Sequence, residues 1–286
     1  MSAVVDRACL VVTGPDRPGL VSVVTAAIAA LGGNIVALDQ YTDDPDGGEF
    51  FQRVVFDLPG LAAAMPDLRR ELGEVLEPVG LQWRLRDLGV PLRMGVLVSL
   101  SDHCVLDLLW RVRRGDLPVT VPMVISNHTA VAGDVRGLGV PFLHVPSAPG
   151  EREAAEERLL ELLVGNVDFV VLARYMQVLS ADFLERVGVP VINIHHSFLP
   201  AFVGAGPYRK AKERGVKLIG ATSHYVTPDL DAGPIIEQDV VRVTHADSAA
   251  DLQRRGADVE RAVLSRAVLW HAEDRVVRHG NQTVVF

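Results

Sequence analysis

With 286 residues, the chain is long enough for about two domains, and a chain of this size buries roughly three quarters of its unfolded surface on folding. Hydrophobic residues at 49% and charged residues at 22% are globular composition and exclude a disordered chain. A formal net charge of -8 argues against a general nucleic-acid binder, although a local basic cluster can still hold a small anion.

The only cysteines are Cys9 and Cys104, which excludes a disulfide framework and any zinc-type spacing. The opening MSAVVDRACLVV carries an early acid and no basic segment ahead of a long apolar run, so no signal peptide is expected. No stretch reaches the roughly 18 uninterrupted apolar residues of a membrane span. A soluble, cytoplasmic protein without nucleic-acid or membrane partners is the expectation.

In chain order, ACLVVT (8–13) reads as a strand stopped by the turn cluster GPDRPG. LVSVVTAAIAALGG follows with apolar residues at helical spacing and closes on Gly32 and Gly33. NIVALDQYTD and FFQRVVFDL read as strands around the hairpin turn DPDGGE. PDLRRELGEVLEPVG is a second amphipathic helix and LQWRLRDL a last strand. The order βαββαβ predicts a ferredoxin-like sandwich over residues 1–88. The turn GPDRPG serves a small ligand or a dimer contact, or only reverses the chain.

TGPDRPGLVSVVTAAIAALGGNIVALDQ closely resembles the first strand, ligand loop, helix and second strand of the ACT family of regulatory domains. That resemblance implies an amino-acid effector bound between paired domains. It also implies Asp16, Arg17, Gly19 and Asn34 as effector-site or interface residues.

From Leu92 the texture changes. MGVLVSL, VPMVIS, VPFLHV, DFVVLAR and PVINIHH are short apolar strands, most of them separated by helical segments such as CVLDLLWRVRRG and EREAAEERLLELLVG. Such alternation predicts a Rossmann-like, mostly parallel α/β sheet over residues 92–286, with ligands bound beyond the carboxyl ends of the strands. LIGATSHYV and GPIIEQDVVRV read as further strands, residues 249–276 as a long helix, and NQTVVF as an edge strand.

At the exit of the strand VINIHHSFLP, Asn193 and His195 point to one face and Ile194 and His196 to the other. An amide and an imidazole on one face can stabilise an oxyanion beside an acid or base; they can equally cap the strand. Asp229 and Asp231 lie in the loop of HYVTPDLDAGP, where aspartate is ordinary turn chemistry. A carboxylate there can also set the protonation of a strand-end histidine.

Three competitors are weaker. A metal on His195, His196, His224 and Asp231 lacks HxH or HExxH spacing, and adjacent histidines on a strand face apart. Cys104 with His103 and Asp102 invites a triad, but triad partners converge from separate segments, and Cys104 fits the buried face of its helix. Gly204 and Gly206 give GAG, but Arg209 ends any GxGxxG fingerprint.

NIHHSFLPAF, GATSHYVTPDLDAGPIIEQDV, SLSDHCVLDLLWR and LARYMQVLS closely resemble the folate-dependent formyl transfer fold. Within that fold the resemblance is to the formyltetrahydrofolate deformylase family, its hydrolytic branch with an N-terminal ACT domain, over essentially the whole chain. It implies hydrolysis of 10-formyltetrahydrofolate to formate and tetrahydrofolate without a metal or redox cofactor. Asn193 and His195 would stabilise the oxyanion, with Asp231 activating water or shuttling its proton.

The same resemblance puts the pterin between Met176, Gln177, Val178 and Leu179 on one side and Thr227, Pro228, Asp229 and Asp231 on the other. Ser101 falls in the loop Ser99–His103 that holds a phosphorylated acceptor in related transferases. Here that loop has no glycine-rich cradle, which favours hydrolysis over formyl transfer to an amine such as glycinamide ribonucleotide. A binding regulator without catalysis is the other alternative; it would not need Asn193, His195 and Asp231 together. Arg209, Lys210 and Arg174 either meet the glutamate tail of folate or are surface residues. Further implications are a homodimer or homotetramer, methionine and glycine as effectors, and a role in one-carbon balance and purine biosynthesis.

Overall fold

Residues Arg7–Pro15 form strand β1, whose alternation sends apolar side chains to two faces. Ala8, Leu10 and Val12 enter a buried cluster with Val24, Ile28, Leu68 and Leu72. Cys9 and Val11 enter another with Phe51, Val55 and Val277. The computed structural model describes residues 6–147, 150–200 and 207–286. Gly204 and Gly206 lie outside the described residues.

Helix α1 (Leu20–Ala30), β2 (Asn34–Thr42), β3 (Glu49–Asp57), helix α2 (Leu61–Leu76) and β4 (Gln82–Asp87) complete the first unit. The sheet order is β2-β3-β1-β4 with antiparallel pairing throughout, the ferredoxin-like arrangement expected. Helix α2 starts at Leu61, five residues ahead of the expected Pro66. The run LAAAM favours helix strongly enough to carry a proline within it. Gly19 has φ 94°, a conformation that a β-carbon disfavours, so the turn into α1 requires glycine there. The Asp16 amide donates to the Gly48 carbonyl at 2.8 Å, and exposed Arg17 donates to the Val79 carbonyl at 3.0 Å. Asn34 is exposed at the start of β2.

Two expectations at the C-terminus change. NQTVVF is not an edge strand of the large sheet: β13 (Gln282–Val285) pairs with β12 (Val276–His279) in a separate two-stranded sheet. Residues 273–279 and 284–286 belong to the first compact unit rather than to the second. The reason is the second face of β1 and β3, whose Cys9, Val11, Phe51 and Val55 are covered by Val277, Val284 and Phe286. Helix α8 (Ala249–Ala272) stops short of Val276. Asp274 adopts φ 53° there, and its buried carboxylate takes Arg84 at 2.9 Å and also Arg86.

The second unit contains β5 (Leu92–Val98), helix α3 (His103–Arg114), β6 (Val119–Ser126), helix α4 (Ala132–Gly137), β7 (Phe142–His144), helix α5 (Arg152–Leu163) and β8 (Phe169–Leu172). Helix α6 (Ala181–Val187), β9 (Val191–His195), helix α7 (Pro207–Arg214), β10 (Leu218–Tyr225), β11 (Ile235–Arg242) and α8 complete it. The sheet order is β11-β10-β9-β8-β5-β6-β7. Strands β5 to β9 run parallel, while β10 and β11 are antiparallel. The chain winds outward from β5 to β7 and then returns to β8 on the other side of β5. That reversal opens a crevice beyond the strand ends, where parallel sheets bind ligands.

Helix α8 packs on this sheet and carries Gly256 where a β-carbon would overlap the Tyr208 ring of α7. One turn on, Glu260 is 1% exposed and accepts the Tyr208 hydroxyl at 2.5 Å. Glycine inside a helix costs about 1 kcal/mol against alanine, whereas overpacking costs about 1–3 kcal/mol. Gly256→Ala is therefore expected to lower the melting temperature despite its better helix propensity, as read by thermal unfolding.

Candidate active site

Register assembles the site. Leu172 of β8 lies beside Asn193 of β9, and Asn193 lies beside His224 of β10. A bulge at Ser223 and His224 shifts the β10–β11 pairing at this point, and such bulges re-aim side chains near active sites. The loop from β10 to β11 carries Asp231 at φ 54°, a left-handed conformation that aspartate tolerates better than most residues.

Asp231 Oδ2 lies 3.2 Å from His195 Nδ1, and its Oδ1 lies 3.7 Å from His224 Nε2. His224 Nδ1 is 2.9 Å from the Tyr225 carbonyl, an acceptor only, so Nδ1 carries the proton. In the neutral ring His224 Nε2 then accepts the Asn193 amide, 3.2 Å away. The Asn193 side chain is thereby oriented with a second N–H left to donate. The Asp231 carboxyl is held well below the usual carboxylate range, chiefly by hydrogen bonding from His195. His195 is 5% exposed; its Nε2 is buried and has no hydrogen-bond partner among the described residues.

These groups line a cavity of about 240 Å³. Of the residues expected to hold substrate, Met176, Gln177, Leu179, Thr227 and Pro228 line it. Asp229 and Ser101 do not. Asp229 is exposed, and its carbonyl accepts the Thr227 hydroxyl at 3.1 Å. The serine that reaches the Met176 loop is Ser99, which accepts the Met176 amide at 3.0 Å and donates to Asn127 at 2.7 Å. Met176, Val178 and Leu230 are each more than half exposed and form an apolar rim.

His196, expected on the opposite face, also lines the cavity, because the strand ends at His195 and its alternation does not carry past it. The His196 ring centroid is 5.2 Å from that of His195. Burial first, then the charges of Arg174 and His195, push its pKa down to about 4. Arg174 lines the cavity beside it. Arg209 is 80% exposed, with Glu213 at 3.9 Å, and Lys210 is exposed. Cys104 is 1% exposed in α3, and burial pushes its thiol well above the ordinary value. His103, Cys104 and Glu260 place potential ligand atoms within 4.8 Å of one another. Glu260 is already engaged there by His103 at 2.8 Å and by Tyr208.

In the sequence His224 stands out only as a metal-ligand candidate, and Arg174 fits either a folate contact or the surface. A histidine at the end of the strand feeding the Asp231 loop was the available signal for the first; nothing in the spacing marks the second.

A doubly wound sheet with an amide, an imidazole and a carboxylate at its strand ends, following a ferredoxin-like unit in the sequence, defines a formyl-transfer type of protein. Residues 92–268 match the Formyl transferase family model, and residues 10–73 match the ACT domain. A formyltetrahydrofolate deformylase of Mycobacterium tuberculosis is 59% identical over 95% of this chain and 88% of its own. The crystal structure of a Pseudomonas syringae formyltetrahydrofolate deformylase superposes with TM-score 0.94 at 43% identity, covering 98% of this chain and 94% of that one. A glycinamide ribonucleotide transformylase from Symbiobacterium toebii covers only 68% of this chain and 94% of its own, with TM-score 0.65 at 37% identity. The chain belongs to the formyltetrahydrofolate deformylase family.

Proposed function

We propose that the chain hydrolyses 10-formyltetrahydrofolate to formate and tetrahydrofolate. The observation that carries this reading is His195: Nδ1 faces an ionised Asp231 while Nε2 sits buried and unpaired at the cavity. An unmet buried nitrogen costs about 1–3 kcal/mol, which suits an atom kept for a reacting group. The relatives named above support the substrate.

In the proposed reaction, water attacks the formyl carbon and His195 Nε2 takes its proton. Asp231 stabilises the imidazolium that forms, and the free N–H of Asn193 donates to the tetrahedral oxyanion. The imidazolium then passes its proton to N10 as the C–N10 bond breaks, its electron pair leaving on nitrogen. The new carboxylic acid gives its proton to water and departs as formate. We assign the proton transfer to His195 rather than directly to Asp231, because a carboxylate held so far below its ordinary range is a weak base at neutral pH. Every step uses side chains of this chain alone, without a metal or redox cofactor. The pterin is placed between the Met176–Leu179 loop and Thr227–Pro228, with Met176, Val178 and Leu230 as apolar walls.

For the ACT unit we propose an amino-acid effector at the Asp16–Gly19 turn, with methionine and glycine the ligands to try. Strand β2 lies at the sheet edge and exposes Val36, Leu38 and Tyr41, which supports pairing of two copies in a dimer or tetramer. No helix among the described residues is long and apolar enough to cross a membrane. Two buried free thiols suit the reducing cytoplasm as the working compartment, where the reaction would balance one-carbon pools and supply formate for purine synthesis.

The test is turnover of 10-formyltetrahydrofolate by purified protein with chelator present and no amine added. Steady release of equal amounts of formate and tetrahydrofolate is expected. Turnover that waits for an amine such as glycinamide ribonucleotide would make the protein a transferase. Activity abolished by chelator would overturn the metal-free mechanism.

A further inference from the structure

Arg174 stands just beyond the end of β8, in the crevice of the doubly wound sheet, and lines the cavity. Its backbone adopts φ 64°, a conformation that glycine takes freely and a long side chain takes at a cost. The Ser99 amide donates to its carbonyl at 3.3 Å, tying that conformation to the end of β5. Arginine at a position suited to glycine points to a task for the side chain.

The side chain is 14% exposed, and Nε and Nη1 are both buried without a hydrogen bond among the described residues. Glu260 Oε2 lies 3.5 Å from Nε, near enough to balance charge. That carboxylate is already bonded to His103 and Tyr208. A buried guanidinium thus has its charge countered but its donors unmet. Donors of a buried cation are costly to leave unpaired, and they match an oxyanion small enough to reach them. Arg174 lines the same cavity as Asn193, His195 and His196, so its side chain borders the space in which the reaction is placed. The carboxylates of a folate glutamate tail are held a p-aminobenzoyl group away from N10 and do not suit these buried nitrogens.

We propose that Arg174 is the binding residue for the product formate, held in place by Glu260, His103 and Tyr208. This rests on the hydrolytic reading, since only hydrolysis makes a free carboxylate here. Hydrolysis converts a neutral formamide into an anion, and the guanidinium receives that anion once the carboxylic acid released by C–N10 cleavage has lost its proton. Departure of formate then follows exchange of these hydrogen bonds for water.

The test is direct binding of carbon-13-labelled sodium formate to substrate-free full-length protein, read by NMR line broadening at fixed ionic strength. Inhibition of turnover by sodium formate is measured in parallel. Wild type, Arg174→Gly and Arg174→Lys are compared. Glycine suits the backbone at this position, so the first variant is expected to fold, which thermal unfolding checks. Saturable binding by wild type is expected, weakened about tenfold or more in Arg174→Gly, as for loss of a charge-assisted hydrogen bond. Arg174→Lys should fall between, and the inhibition constant should move in step. Formate affinity unchanged in Arg174→Gly, or no saturable binding by wild type, would overturn the assignment while leaving the hydrolase intact. A wild type that produces no formate from 10-formyltetrahydrofolate would remove both readings.

Discussion

Asp231→Asn is expected to lower kcat by about 10²–10⁴-fold, the contribution of a positioned acid–base group, with KM changed far less. The amide keeps the shape and one acceptor but loses the charge that faces His195 Nδ1 at 3.2 Å. Without it the imidazolium formed on taking a proton from water has no anionic partner. Initial rates of formate release at saturating substrate measure the effect. A variant within about tenfold of wild type, less than the usual share of such a group, would remove Asp231 from the machinery.

The same substitution has a signature in stability. The Asp231 carboxyl lies lower in the folded chain than its unfolded value of about 3.9. A depressed carboxyl stabilises the fold fully above that unfolded value, and the contribution is lost as pH falls through the native one. The stability gap between wild type and Asp231→Asn is therefore expected to be widest near neutral pH and to narrow progressively as pH falls below about 4. Denaturant midpoints across that range read it; a gap that widens in acid would contradict the assignment. His196 adds a slope common to both chains. Between the ordinary histidine value of about 6.5 and its native value of about 4, the unfolded chain binds a proton that the folded chain refuses. Both proteins should lose stability as pH falls through that interval.

Much of this architecture is written locally. Period-2 apolar runs such as ACLVVT and FFQRVVFDL declare β1 and β3, and Gly19 marks a turn because its φ requires glycine. The pairing of Asn193 with His195 was legible because two residues on a strand share a face. What was not legible depends on register between distant strands. His224 meets Asn193 only because β10 runs antiparallel to β9 in one register, and no local pattern encodes that choice. Ser99 rather than Ser101 reaches the Met176 loop for a similar reason: β5 lies beside β8, and the chain end of one sets which hydroxyl faces the other. The C-terminal hairpin reads as an edge strand until the second apolar face of β1 is seen to need a cover. The left-handed backbone of Arg174 leaves no trace in composition at all.

His195→Ala is expected to lower kcat by about 10²–10⁴-fold, and the double variant with Asp231→Asn to be little worse than His195→Ala alone. Residues that act as one unit are strongly non-additive, and Asp231 acts here through the ring that His195→Ala deletes. Asn193→Ala is the contrast. Its amide meets the oxyanion independently of the proton path, so losing it should cost about 10²–10³-fold and should multiply the effect of Asp231→Asn. Its contact with His224 introduces the one coupling to check, since His224 Nε2 lies near both Asn193 and Asp231. If Asn193→Ala and Asp231→Asn multiply while His195→Ala and Asp231→Asn do not, the proton path and the oxyanion donor are separate devices. If both pairs collapse to one common loss, the three side chains form a single unit with His224 as its hinge, and the division of roles argued from the geometry fails.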